Sequence, residues 1–449
     1  MTDANGLQAD LVVIGGGIAG LSAGAYAARH GATVILVEKN PEIGGNAVLS
    51  GGGLWTASSF DAYRELDPKS DPELVRLVVE GFTDAASFIE SLGVEIAPLR
   101  STDAIQGYPS HVRVFDNYGY LHRCKAAIEE ADGWVVTSAQ VERLLVEDGT
   151  VVGVEVRDRD GTAEVRAPAT VLATGGFQGD PALRRELIGE HAVDVLLRSN
   201  PASVGDGLRL ARSVGAALNA ETDRFYGHLM PAPLGELQPG DFLRLAQIYS
   251  PRTLLLDQAG RRLGDESVAY YKNAWMLSRQ PDHRALLVAD DAVRQFDRTA
   301  YGASEQLDRV EEARLAGAHV AEADSLAELA RIVAAWGYAN VDVAVERFNE
   351  AVTAGAELDP PRTLHRTPFT TPPFFAMEVQ PAITFTFGGI RADAQMHVVD
   401  AAGNAIPGLL AAGVDVGAYH SVYAGGLAFG LVTGLQAAKT ALQGASISS

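Results

Sequence analysis

The stretch that decides the fold is Asp10 to Glu38, DLVVIGGGIAGLSAGAYAARHGATVILVE. Asp10 to Val13 is a short strand-like run. The glycines at 15, 16, 17 and 20 follow it, Leu21 to Arg29 is an alanine-rich helix former, and Ala32 to Val37 is a second strand-like run ending at Glu38. Read as G-x-G-x-x-G, Gly15 permits a tight turn, Gly17 lets the backbone approach a pyrophosphate, and Gly20 lets helix and strand pack closely. The helix start then offers free N–H groups and a positive dipole end to phosphates. Glu38 stands where a carboxylate accepts from both hydroxyls of a ribose. Strand, glycines, helix, strand and acid in register predict a Rossmann-like dinucleotide site in an α/β fold. The glycines alone do not separate FAD from NAD. A second glycine-rich run, Gly44-Gly45-Asn46-Ala47-Val48-Leu49-Ser50-Gly51-Gly52-Gly53, lets backbone amides run close along a bulky cofactor and points to FAD.

Around this core the chain has 449 residues, with 36 Lys+Arg against 57 Asp+Glu and a formal charge of −21. Such an acidic balance disfavours nucleic acid or an anionic membrane surface as partner. Cys124 is the single cysteine, so no intramolecular disulfide forms, and it reads as a packed side chain. The opening MTDANGLQAD has no basic segment followed by an apolar one, so a cytoplasmic location is expected. The apolar run Leu11 to Ala28 is interrupted by five glycines, and no membrane span is predicted.

The pattern divides into a discontinuous FAD-binding domain and an α+β cap over the flavin. Residues 1–225 form the first part of the FAD-binding domain, 226–367 the cap or substrate domain, and 368–449 the second part of the FAD-binding domain. Within the first part, 61–130 read as helices, led by the amphipathic Asp71 to Leu92, and 134–174 alternate like a small antiparallel sheet with turns at Asp148-Gly149 and Asp160-Gly161. In the cap, Thr253 to Leu263 is hairpin-like, Ser325-Leu326-Ala327-Glu328 is a capping box opening a helix to Ala335, and Val341 to Val352 is another helix. Thr367 to Pro373 reads as a linker, and a final helix starts at Gly425. No second G-x-G-x-x-G appears on a strand-to-helix junction, so a built-in nicotinamide domain is not expected. Electrons then pass through the substrate and an external partner, whether dioxygen, a quinone or an electron-transfer protein.

The blocks GGGIAGLSAGAYAARHGATVILVEKN, GGNAVLSGGGLW, ATVLATGGF at 169–177, SVGDGLRLARSVGA at 203–216 and PGLLAAGVDVG at 407–417 resemble, in order, those of the fumarate reductase and succinate dehydrogenase flavoprotein superfamily. The resemblance implies that FAD is held by Gly15, Gly17, Ile18, Ala19 and Gly20, by Glu38 and Lys39, and by Gly45, Asn46, Ser50, Gly51 and Gly52. It adds Val141 near the adenine, Thr174, Gly175 and Gly176 beside the diphosphate, Asp206, Asp415 near the ribityl chain, and Leu427 with Ala428. The succinate dehydrogenase branch has a flavin-carrying histidine soon after the acid. This chain has Gly44-Gly45-Asn46 there, which implies noncovalent FAD.

At the reactive positions the family's cations are missing. Its His-Thr-x-Gly-Gly is Phe385-Thr386-Phe387-Gly388-Gly389, its proton-donating arginine four residues after a glutamate is Tyr270 after Glu266, and its Arg-x-Gly-Gly is Tyr423-Ala424-Gly425-Gly426. A dicarboxylate buried without compensating charge is costly, so fumarate and succinate are disfavoured. Tyr270 and Tyr423 instead resemble the tyrosines of the 3-ketosteroid Δ1-dehydrogenase branch, although Tyr423-Ala424-Gly425 departs from that branch's Tyr-Pro-Gly. This implies an FAD-dependent desaturase placing a double bond beside the carbonyl of a small cyclic ketone, of cyclohexanone or oxocyclohexanecarboxylate type. Tyr270 is then the base, and Tyr423 with a backbone N–H near Leu427 polarises the carbonyl. A free tyrosine with pKa of about 10 is a poor base, so Tyr270 needs a helper, for which Tyr271, His420 and the segment holding Tyr108, Tyr118 and Tyr120 all qualify. His420 otherwise lines the pocket, since no cluster with metal-ligand spacing accompanies it. Arg244, Arg252 and Arg366 are the cap cations within range of a substrate carboxylate, with surface positions the default for each. Reduction of an activated alkene is the alternative reaction, and a flavin-bearing subunit without turnover of its own is a third reading.

Overall fold

The structure is a computed structural model that describes residues 7–102, 108–219, 223–300, 307–417 and 425–445. Its first layer is a six-stranded sheet in the order His397–Val399, Ala405–Ala411, Thr170–Leu172, Leu11–Ile14, Val34–Val37, Trp134–Val136. All neighbours are parallel except the outermost pair, His397–Val399 with Ala405–Ala411. LVVI and VILV are buried at every position, as expected of central parallel strands covered on both faces. The helix Ile18–Arg29 covers one face and packs against Asn117–Glu129 and the C-terminal helix Gly426–Ala445.

Between Leu11–Ile14 and Ile18–Arg29 the chain turns with almost no clearance. Gly15 has φ +106°, and a Cβ there would lie 2.3 Å from the Ala173 carbonyl oxygen. A Cβ on Gly20 would lie 2.0 Å from the carbonyl oxygen of Gly15.

Two smaller sheets lean on this layer. Gln140–Glu147, Thr150–Asp158 and Gly161–Arg166 form the expected antiparallel meander, with Leu7–Gln8 added at its edge. The expectation of helices throughout 61–130 gives way in one place: Arg100–Thr102 and Ser110–Val114 are strands, paired with each other and with Gly53–Ala57. In Ser110–Val114 Ser110 and Val112 are buried while the residues between and after them are less so, a two-residue alternation that the polar and basic side chains of SHVRV disguise.

The cap has its own core around a second sheet. Its spine is the 13-residue strand Phe374–Thr386, which pairs with Leu196–Leu197, Phe225–Pro231, Ala285–Asp290 and Val320–Ala323. The sheet therefore reaches across both ends of the sequence-based division at 226 and 367. Leu196–Leu197 comes from the first part, and Phe374–Thr386, placed by sequence in the returning FAD-binding part, is its central strand. Ser325 caps the helix Leu326–Val333 by accepting from the Glu328 N–H, and Val341–Thr353 is helical. Leu254–Leu256 turns through Asp257 back to Arg262 as a short hairpin.

A buried ion cluster fixes the turn that leads into the helix Tyr270–Ser278. Glu266 is fully buried and meets Arg362 at 2.5 Å and Arg262 at 2.9 Å. Arg362 also donates to the carbonyls of Pro251 and Thr253, while Asn273 of the helix donates to the Glu266 carbonyl.

Two stability measurements test these constraints. Gly20→Ala overpacks the turn and is expected to cost about 3 kcal/mol, read as a lower denaturant midpoint with reduced FAD content in the purified protein. Arg362→Met leaves Glu266 with one cation and is expected to cost about 3 kcal/mol, the low end for a broken buried pair because Arg262 remains. An unchanged midpoint would show that the cluster adds nothing to stability.

Candidate active site

A cavity of about 610 Å³ runs between the two cores, from Glu38 and Val141 at one end to Tyr226, His228 and Tyr270 at the other. This is within the range of built ligand sites. At the first end Glu38 is nearly buried and accepts from the Gly16 N–H at 2.7 Å and the Asn40 N–H at 2.8 Å. An ionised carboxylate has about four acceptor positions, so these bonds orient Glu38 and leave capacity for ribose hydroxyls. Lys39 and Asp206, both on the wall, form an ion pair beside it, and Val141, second residue of the strand Gln140–Glu147, lines the cavity too.

In the middle section the walls are backbone. Gly17 precedes the helix Ile18–Arg29 as its cap residue, makes no side-chain cap, and lines the cavity with Gly15, Ile18 and Ala19. The N–H groups of a helix's first turn have no acceptor within the helix, so this uncapped, 12-residue helix faces the cavity with donors suited to a diphosphate. A Cβ at Gly17 would meet nothing within 4 Å, consistent with open space for a cofactor against the backbone. Opposite lie Gly45, Asn46, Ser50 and Gly51, with Thr174 and Gly175 alongside. Asn46 is locked, its Oδ1 accepting from Ser199 Oγ at 2.9 Å and the Asn200 N–H at 2.6 Å. These residues fit FAD.

Four of the expected cofactor residues, Gly20, Gly52, Gly176 and Ala428, are not on the cavity wall, and Asp415 is a fifth. Gly20 and Gly52 serve close packing: a Cβ on Gly52 would meet the Phe115 carbonyl oxygen at 2.2 Å. Asp415, expected near the ribityl chain, is 2% exposed and turned to the 174–176 loop. It accepts from the Thr174 N–H, from Thr174 Oγ1 at 3.0 Å and from the Gly176 N–H at 3.2 Å. Burial raises its pKa, and these bonds work against the rise. Asp415 thus ties the 174–176 loop to the end of Ala405–Ala411.

The cap end is aromatic. Tyr270, first residue of its helix and 4% exposed, has its hydroxyl 2.9 Å from that of Tyr226, and Tyr226 Oη lies 3.4 Å from His228 Nε2. The His228 ring stacks on Tyr270 with centroids 4.8 Å apart, and Phe385 lies against Tyr226 at 4.7 Å. Burial, and then the charges of Arg198 and Arg309, push the His228 pKa well below its usual value, so the imidazole is neutral near pH 7. Its Nδ1 is buried with no hydrogen-bond partner among the described residues.

Of the helpers considered for Tyr270, Tyr271 packs edge-on at 5.7 Å. Tyr120 bonds Ser22 in the other core, Tyr108 belongs to that core, and Tyr118 is 60% exposed. Among the described residues Tyr226 brings a hydroxyl within hydrogen-bond distance of Tyr270. Tyr423 and His420 lie outside the described residues. Leu427 is on the cavity wall in the first turn of Gly426–Ala445, where its N–H has no acceptor within the helix. Cys124 is fully buried beside Tyr120, and burial holds its thiol up at about 12, which fits a packed and unreactive side chain.

Sequence reasoning missed Tyr226, His228 and Arg198. The first two had a signal, an i, i+2 pair within FYGHLMP that places both side chains on one face of a strand. Arg198 had none. Meanwhile Arg244 pairs with Glu312 and Asp241, Arg252 stacks on Phe296, and Arg366 bonds the Ala356 carbonyl; none of the three lines the cavity.

No helix among the described residues is long and apolar enough to cross a membrane. A family model described as FAD binding domain matches residues 10–428. A fumarate reductase (cytochrome) from Shewanella frigidimarina is 28% identical, over 96% of this chain and 77% of its own. The open conformation of a flavocytochrome c3 fumarate reductase superposes with a TM-score of 0.74 over 98% of this chain and 79% of that one, at 23% identity. The 3-ketosteroid-Δ4-(5α)-dehydrogenase of Rhodococcus jostii RHA1 does so at 0.75 over 98% of both chains, at 21% identity, a likeness of fold. With its glycine-lined cavity and a match over nearly its whole length, the chain belongs to the FAD-binding-domain family and is a flavin-dependent oxidoreductase that uses FAD.

Proposed function

We propose that the chain is an FAD-dependent desaturase that introduces an α,β double bond beside the carbonyl of a small cyclic ketone. Bound FAD, held noncovalently because Asn46 stands at the end of the GGN turn, would supply hydride acceptance at its N5. The rest falls to side chains. Tyr270, Tyr226 and His228 carry the reading: a hydroxyl, a second hydroxyl and a neutral imidazole in sequence at 2.9 and 3.4 Å.

In that sequence Tyr270 Oη takes the α-proton while giving its own to Tyr226 Oη, which in turn donates to His228 Nε2. No full phenolate forms in the apolar cap, where it would be costly; the charge passes instead to His228, whose lowered pKa makes it a transient holder that gives the proton up again after the hydride has left. The long 3.4 Å contact is of the kind that shortens when a ligand closes the site. The Leu427 N–H at a helix start, with the Tyr423 hydroxyl, would receive the developing enolate oxygen. Residues 1–225 and 368–449 would bind FAD and 226–367 would cover it, with the cap sheet extending past those limits. The acceptor for the electrons is external.

Reduction of an activated alkene is the second reading, favoured by the identity to a fumarate reductase and by the buried cation Arg198 on the cavity wall.

Mixing the FAD-loaded protein with cyclohexanone-type ketones without oxygen should bleach the flavin absorbance and yield equimolar enone. Reoxidation of chemically reduced protein by an activated alkene, with no ketone bleaching it, would favour the second reading. Tyr270→Phe should keep FAD and lower kcat by about 10²–10⁴-fold, and Tyr226→Phe should lower it less. A Tyr270→Phe variant with full activity would refute the role of that hydroxyl.

A pH profile adds an independent check. Because burial and Arg198 keep His228 neutral, the acid limb of kcat/KM should lie well below the ordinary histidine range, with activity flat across about pH 6 to 7. A limb near 6.5 that vanishes in His228→Gln would show that His228 titrates normally.

A further inference from the structure

The short helix Asp241–Arg244 supplies two adjacent residues of the cavity wall, Phe242 and Leu243. Phe242 is 4% exposed and Leu243 50% exposed, so the Leu243 side chain has the cavity on one side and solvent on the other. Facing it is the glycine-rich turn after Asn46. A Cβ on Gly51, itself on the wall and exposed, would meet Leu243 Cδ1 at 3.1 Å and Cδ2 at 4.0 Å. Leu243 and the bare backbone of Gly51 thus bring two walls of the cavity nearly together at the protein surface, with no space between them for a further side chain.

Leu243 is held from both sides. Before it, the Phe242 carbonyl accepts from Nε of the buried Arg198 at 3.1 Å and from its Nη2, and that guanidinium lies over the Phe242 ring at 5.2 Å. After it, Arg244 pairs with Asp241 at 2.7 Å and with Glu312 of the helix Arg309–Leu315. Leu245 and Ala246 then enter a small apolar core with Met230 and Ala382. The backbone that carries Leu243 moves aside only by breaking an ion pair or a buried hydrogen bond, so the side chain sets a fixed limit to the cavity.

We infer that Leu243 is a specificity-determining residue: facing Gly51, it closes the wall beside the ring site and excludes rings that carry a bulky apolar substituent. This rests on the reading of the cap end as the substrate site. A smaller residue at position 243 would open a window to solvent, through which such a substituent would extend.

The test measures binding without turnover. Phenol has the planar ring and oxygen of an enolised cyclohexanone and cannot be desaturated further. Its 3- and 4-tert-butyl derivatives add four apolar carbons, which in a site with room for them raise affinity on the order of a hundredfold. Titrated into the FAD-loaded protein and followed by the flavin difference spectrum, both derivatives should instead bind more weakly than phenol, by about tenfold, the scale of an overpacked contact. In Leu243→Ala the isomer whose group points at the opening should overtake phenol, with phenol affinity changed by less than about threefold. Leu243→Met, of similar volume, should keep the order of the unaltered protein. A derivative that binds the unaltered protein as tightly as phenol or more tightly, or an order that does not reverse for either isomer in Leu243→Ala, would overturn the role of Leu243. If Leu243→Ala does not hold FAD, Leu243→Val decides, by narrowing the gap at least about threefold or leaving it as it was. No spectral response to phenol up to about 10 mM would overturn the cap end as a ring site, and the role of Leu243 with it. Enone formation is read separately: size discrimination without enone from any ketone overturns the reaction alone, and enone without size discrimination overturns the role of Leu243 alone.

Discussion

The close approach of Gly20 to the Gly15 carbonyl is the contact on which the rest of the molecule depends. It lets the helix Ile18–Arg29 start within three residues of the end of a buried strand, so its uncapped N-terminus opens directly into the cavity. Any side chain at position 20 would push helix from strand and turn the phosphate-facing donors away. The C-terminal helix Gly426–Ala445 lies on this helix and brings Leu427 to the cavity wall. The same contact thereby supports both the glycine-lined wall and the first turn of Gly426–Ala445.

The second sheet solves a different problem, bringing titratable groups from distant parts of the chain to one wall. Phe374–Thr386 is long enough to hold Leu196–Leu197 on one edge and Phe225–Pro231 on the other. Side chains near residues 198, 226, 228 and 384 consequently share a floor. The burial that makes this wall apolar also sets its electrostatics: it lowers the His228 pKa and leaves the imidazole neutral, beside an Arg198 guanidinium oriented by the Phe242 carbonyl and Thr384 Oγ1. Where the superfamily resemblance leads one to expect a histidine, Phe385 packs on Tyr226 instead.

The nucleotide half of the site was legible because its signal is local. Turn, helix start and ribose acid fall within 29 residues, and glycine, the one residue without a Cβ, is required at each close approach. Asp415 shows the limit of positional transfer, since an acid at the expected place was recognised but its carboxylate faces the 174–176 loop. Tyr270 was found by its spacing from Glu266, and the buried Arg362–Glu266 pair shows what that spacing serves, a fixed turn into the helix. Tyr226, His228 and Arg198 escaped because what joins them is the strand Phe374–Thr386, far along the chain from all three. Sequence periodicity describes a strand's faces and says nothing of its neighbours.

A hydroxyl relay differs from an arginine proton donor in more than charge. An arginine stays protonated at any accessible pH, so it favours a substrate on which negative charge is already present or is building. A pair of hydroxyls is neutral and relays a proton in either direction, each accepting one as it passes its own on, so by microscopic reversibility the same groups would serve desaturation in one direction and reduction in the other. On the proposed reading, replacing the cation by Tyr270 would select a substrate whose α-proton is made acidic by a carbonyl, without selecting the direction. Direction is left to the potential of the external electron partner relative to the ketone and enone couple. On that reading the second sheet would determine what is bound and where its proton goes, and the flavin where its hydride goes.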